Sequence, residues 1–113
     1  MRVIIAGSRV IKDYELVKKA IVDSKLDITE VVCGMASGVD SLGERYAKEH
    51  DIPVAYYPAD WDVHGKRAGY LRNIEMAKNA DALIAIIKDD SPGTMHMIKE
   101  AMRRGIKTRI VPM

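Results

Sequence analysis

Five short apolar runs, separated by amphipathic stretches and never by a two-residue hairpin turn, constrain this chain more than any other feature. They are Arg2 to Ala6, Thr29 to Cys33, Pro53 to Tyr57, Ala82 to Ile87 and Lys107 to Val111. Val3 to Ala6 and Ala82 to Ile87 are apolar at every position, as in a strand buried on both faces. Between the runs, apolar residues recur at helical spacing. Such alternation is met by parallel strands joined through right-handed crossovers. The expectation is an α/β, Rossmann-like three-layer domain with a mainly parallel five-stranded sheet and helices on both faces, occupying residues 1–113 as a single unit.

The helices can be placed from their caps and stripes. Asp13 reads as an N-cap, with Leu16, Val17, Ala20 and Ile21 on one face through about Ser24. Ser37 with Asp40, and Ser41 with Glu44, both have the capping-box spacing. Ser37 is preferred, because Leu42, Tyr46 and Ala47 then form the buried stripe of a helix ending near His50. Pro58 to Ala68 has no pattern and reads as a long loop; such loops often carry function. A helix from about Gly69 has Leu71, Ile74 and Ala77 inward and Arg72-Asn73 near its start. Ser91 or Thr94 caps the last helix, with Met95, Ile98, Ala101 and Met102 as its stripe and Gly105 as its C′ residue. The last strand, with its alternating basic residues, suits a sheet edge.

Composition narrows the partners. A net charge of +2, from 18 basic and 16 acidic residues, is far from the concentrated basic surface that binds many phosphates of a nucleic acid. A small anion needs only one or two well-placed arginines. Aromatic residues make up 5% of the chain, with no Phe, which leaves few platforms for stacked bases. One cysteine excludes an internal disulfide, and the scattered His50, His64 and His96 make no metal-ligand spacing. No cofactor or metal is expected. No apolar run approaches the roughly 20 residues that span a bilayer, the N-terminus does not read as a signal peptide, and a cytoplasmic location fits.

Function is expected where strands end. Cys33-Gly34-Met35-Ala36-Ser37-Gly38-Val39-Asp40 brings bare backbone to the mouth of a helix, whose first-turn N–H groups and partial positive charge suit an anion. The same stretch also serves as a tight turn that binds nothing. Gly7-Ser8-Arg9, Asp60-Trp61 and Ser91 to Thr94 likewise follow strands, and in an open parallel sheet all four junctions gather on one edge.

The order of these pieces resembles the SLOG superfamily, the Rossmann-like domain shared by DNA-processing protein A and the "lonely guy" nucleoside-monophosphate phosphoribohydrolases. The pieces are Gly7-Ser8-Arg9, Gly34 to Asp40, Pro58-Ala-Asp-Trp61, Gly69 to Asn73, Ala80-Asp81 and Ser91-Pro-Gly-Thr94. Length and motif order are most similar to the small YspA-like, YpsA-related branch of bacterial and phage proteins. Gly34 to Asp40 resembles the Gly-x-Ala-x-Gly-Ile-Asp turn of the DNA-processing proteins. Ser91 to Thr94 resembles the end of the phosphate loop of the phosphoribohydrolases, with its double glycine reduced to Pro92-Gly93. Arg72 resembles their catalytic arginine, whereas the position of their catalytic glutamate holds Met97, which can neither stabilise an oxocarbenium ion nor activate water.

The resemblance therefore implies a binding domain for a nucleotide or nucleotide-derived small molecule, such as a nucleoside phosphate or an ADP-ribose-like signal. The backbone of Gly7, Gly34, Ala36, Gly38 and Gly93, with the hydroxyls of Ser8, Ser37, Ser91 and Thr94, would meet phosphate. Arg9 and Arg72 would add charge-assisted hydrogen bonds. Asp40 or Asp60 would accept ribose hydroxyls, and Asn73 would hold the loop. Trp61 would either stack on a base or anchor its loop against the domain. The alternative is an N-glycosidase using Arg72 with a substitute carboxylate, Asp40, Asp60, Asp62 or Asp89, each of which also reads as a cap or a solvated loop charge. A second alternative, binding of single-stranded nucleic acid, ranks last on charge and aromatic content. Related domains often pair, and a homo-oligomer is expected, with Met95, Met97 and Met102 as candidate contacts or, in the commoner role of methionine, core.

Overall fold

The computed structural model describes residues 1–88 and 91–113; Asp89, one of the candidate carboxylates, lies outside the described residues together with Asp90. The chain runs β1 (Arg2–Gly7), α1 (Tyr14–Asp23), β2 (Glu30–Cys33), α2 (Val39–Glu49), β3 (Val54–Tyr56), α3 (Trp61–His64), a 3-10 turn (Gly65–Arg67), α4 (Ala68–Lys78), β4 (Ala82–Ile87), α5 (Pro92–Arg103) and β5 (Lys107–Pro112). All four strand pairings are parallel, in the order β3-β2-β1-β4-β5. This is the Rossmann-like α/β architecture, with β5 at an edge as its charge pattern suggests.

Strand side chains alternate between the two faces of a sheet, and the core divides accordingly. Val3, Ile5, Val31, Ile84 and Ile86 pack with Val17 and Ile21 of α1 and Val39 and Ala47 of α2. Ile4, Ala6, Val32, Leu83 and Ala85 pack with Met76 and Ala77 of α4 and Met97 and Ile98 of α5. Both faces of the central strands are therefore dry, as continuous apolar runs require. Full burial of each branched side chain contributes about 1.5–3 kcal/mol before the entropy of ordering it.

Several local expectations are corrected. Asp13 caps α1 through the amide of Glu15, but Tyr14 is buried there while Leu16 is exposed. Gly38, not Ser37, occupies the N-cap position of α2, with no side-chain cap bond. Pro58 to Ala68 is not one long loop, because Asp60 caps the short α3 by accepting from the amide of Val63 at 3.2 Å. In α4 the buried positions are Ala68, Asn73, Met76 and Ala77, with Leu71 and Ile74 half-buried. In α5 the buried arc is Thr94, Met97, Ile98 and Ala101, while Met95 and Met102 are exposed. Ile98 and Ala101 are common to both arcs. Packing against α4 turns the helix so that Thr94 and Met97 face inward, which removes Met97 from any outer methionine face. Ser91 does stand at the N-cap of α5, without a side-chain cap bond, and Gly105 follows the C-cap Arg104 at φ +70°. Among the described residues, no helix is long and apolar enough to cross a membrane.

Candidate functional site

In the sheet order β1 and β4 are neighbours, and the crossover leaving β1 runs to β2 on one side while that leaving β4 runs to β5 on the other, which opens a crevice beyond their carboxyl ends. The backbones converge tightly at that point. A Cβ on Gly7 would lie 2.0 Å from the carbonyl oxygen of Ile86, and the amide of Ser8 donates to that same oxygen at 3.1 Å. Gly38 adopts φ +75°, and a Cβ there would come within 2.5 Å of the Ser8 carbonyl oxygen. The Ser8 carbonyl in turn accepts from the amide of Val39 at 3.4 Å. The first and second glycine junctions are thus one knot of main chain, permitted by missing side chains.

Two adjoining cavities open above this knot. The first, about 340 Å³, has Gly7 and Arg9 from the β1 junction, Ala36 and Asp40 from the β2 junction, and Arg72 and Asn73 from α4 along its walls. Ser91, Gly93 and Thr94 at the start of α5 close it, over a floor of Met76 and Met97. The second, about 500 Å³, is bounded by Gly34, Met35 and Ser37 on one side and by Pro58, Ala59 and Trp61 on the other. Arg9, Ala36 and Arg72 belong to both cavities.

Arg72 is fastened rather than free. Its Nη1 donates to the carbonyl of Gly34, and its Nε donates to Oδ1 of Asn73 at 3.1 Å. Asn73, 4% exposed, donates through Nδ2 to the carbonyl of Gly93 at 3.1 Å and lies 3.2 Å from Nδ1 of His96. That amide therefore ties the arginine on α4 to the first turn of α5. Burial lowers the His96 pKa, which suits an unprotonated Nδ1 facing the Asn73 amide. A Cβ on Gly93 would meet nothing within 4 Å, so a ligand has open access to this backbone.

Asp40 is the one carboxylate among the described residues that is buried, at 6% exposure. Its Oδ2 accepts from the amide of Ala36 at 3.5 Å. Burial pushes its carboxyl up to about 6, against the pull of Arg72, the Ala36 amide, Arg9 and the Gly7 amide. Burial likewise raises the Cys33 thiol to about 11 and so keeps it neutral; its Sγ accepts from the Met35 amide at 3.4 Å. Among the described residues, two guanidinium groups and one carboxylate line the first cavity.

Three of the expected ligand residues do not line these cavities. Ser8 is fully buried, and its hydroxyl accepts from the amide of Lys88 at 2.9 Å, bracing the ends of β1 and β4. Gly38 acts through its backbone shape, and Asp60 caps α3 at a shallower concavity beside Tyr57 and His64. Trp61 is 53% exposed and forms a wall of the second cavity, and its ring also lies against α4, 3.4 Å from where a Cβ on Gly69 would stand. Met76 was not anticipated, and Pro58 and Ala59 were singled out only as part of a motif piece and not as lining, because apolar walls leave no polar signal. His96 was foreseeable only as a residue two positions beyond Thr94.

A family model described as YAcAr, the YspA, cpYpsA-related SLOG family, matches residues 1–64, from β1 through α3. The Gene 61 protein of Mycobacterium phage D29 is 40% identical over 115 residues, covering 93% of this chain and 91% of that protein. No solved structure matches.

Proposed function

Because the chain belongs to the YspA, cpYpsA-related SLOG family, we propose that it binds a nucleotide or nucleotide-derived small molecule at the carboxyl edge of its sheet. The phosphoryl group occupies the first cavity, against Arg9, Arg72 and the first turn of α5. The remainder of the ligand extends into the second, where Trp61 offers an aromatic face. The observation that carries this reading is the sharing of Arg9 and Arg72 by the two cavities, so that a single ligand spans both past the same pair of cations. Guanidinium groups and helix N-termini are the groups that fit phosphate oxygens best.

Melting curves against nucleoside mono- and diphosphates and ADP-ribose derivatives test the reading. A ligand at 100 times its Kd stabilises by about 2.7 kcal/mol, a rise on the order of 10 °C for a domain of this size. Trp61, the only tryptophan, reports base stacking directly through its fluorescence. Flat curves across the panel, with unchanged emission, would sink the proposal.

Asp40 favours one further reading, hydrolysis of the N-glycosidic bond, because a cavity carboxyl poised at about 6 suits proton transfer. Met97, 1% exposed in the cavity floor, counts against it. Release of free base from nucleoside 5′-monophosphates, abolished in Arg72→Ala, distinguishes hydrolysis from binding alone.

A further inference from the structure

Asp40 is an unusual wall for an anion site. None of the ion pairs within 4.0 Å among the described residues includes it. Its carboxylate and the Arg72 guanidinium nevertheless flank one point of backbone. A Cβ on Gly34 would lie 2.9 Å from Asp40 Oδ2 and 3.1 Å from Arg72 Nη1. The Asp40 charge is therefore balanced at a distance, by Arg72 and Arg9 and by two main-chain amides. Those two cations are also the ones a phosphoryl group in the first cavity would engage. An arriving anion and the Asp40 carboxylate compete for the same positive charge, and like charges in one site favour protonation of one of them.

We infer that Asp40 sets the charge of the anion this crevice accepts: a doubly charged group enters together with a proton that Asp40 takes up from solvent, whereas a singly charged one enters without it. This inference rests on the phosphate-binding reading above and names its proton linkage. Among the described residues, the charged and titratable groups around Asp40 are these. Arg9 and Arg72 contribute the two guanidinium groups. The Cys33 thiol on β2 stays neutral. Glu44, one turn along α2, accepts from the Tyr56 hydroxyl. On α5, His96 faces the Asn73 amide, and burial lowers its pKa.

Sulfate and dimethyl phosphate are suitable probes, since the first is doubly and the second singly charged throughout pH 5–8. Their affinities for the full chain are read by NMR titration. In the wild type, sulfate affinity should rise several-fold as pH falls from 8 to 5.5, while dimethyl phosphate affinity stays nearly level. Asp40→Asn should bind sulfate more tightly than wild type at pH 8 and lose most of the pH dependence, and His96→Gln should keep it. The Asp40 carboxyl 13C resonance in the wild type gives a second readout that needs no variant, and sulfate should shift its titration to higher pH. A level wild-type sulfate profile, a dependence that follows His96, or an unmoved carboxyl titration overturns the inference. If nucleotides still bind under those results, the phosphate-binding reading survives; if no anion or nucleotide binds at any pH, both fail.

Discussion

Arg72 and Gly34, 38 positions apart, are joined by a hydrogen bond from the guanidinium to the glycine carbonyl. The bond fixes the start of α4 against the end of β2. Asn73 extends the connection to α5, so three crossovers are aligned by two consecutive polar residues. The site's geometry depends on this short polar bridge more than on any single loop.

Arg72→Lys keeps the charge and loses the fork that serves Gly34, Asn73 and a ligand oxygen together. Charge-assisted hydrogen bonds contribute about 1.5–3 kcal/mol each, so affinity for a nucleotide found to bind should fall roughly 10- to 100-fold. Calorimetric titration of the two proteins measures it. Equal affinities would remove Arg72 from the site.

Asn73→Leu fills similar space and offers no partner to Gly93 or Arg72. An unpaired buried polar group costs about 1–3 kcal/mol. Urea denaturation should show a loss of that order, together with weaker anion binding as the α5 turn loses its anchor. Unchanged stability would mean that the bridge contributes nothing to the fold.

Gly7→Ala and Gly93→Ala should behave oppositely. A methyl on Gly7 meets the Ile86 carbonyl oxygen at 2.0 Å and forces β1 from β4, a strain of at least about 1–3 kcal/mol. A methyl on Gly93 meets nothing within 4 Å, so stability should change by less than about 1 kcal/mol while phosphate loses its close approach to the backbone. Paired melting and binding measurements check both. A stable Gly7→Ala protein would contradict the strand packing.

Stability should respond to pH through Asp40. Its folded-state carboxyl, at about 6, lies above its unfolded value. Below the unfolded value both states hold the proton. As pH rises from about 4 through 6 the folded state resists ionising and stability falls. Asp40→Asn escapes that loss, so its stability relative to wild type should rise across the same window, by up to about 3 kcal/mol for two pKa units. Denaturant midpoints at pH 4, 5, 6 and 7 follow the difference. An opposite slope would mean that Arg72 and Arg9 stabilise the ionised form outright.

The five apolar runs and the absence of hairpin turns were enough to determine a parallel sheet with helices on both faces, because a strand without a polar face must be covered twice. The glycine junctions likewise marked the edge where the two cavities open, since bare backbone there follows from residue type alone. What tertiary structure decided was which side chains reach the crevice. Ser8 turned inward to brace β4, Asp60 was taken up by a short helix, and Met97 rotated into the floor. Asn73 became the hinge of the polar bridge. Each of these depends on a neighbour distant in sequence. Local pattern fixes how a segment folds, but only packing against other segments determines which way its polar atoms must turn to be satisfied.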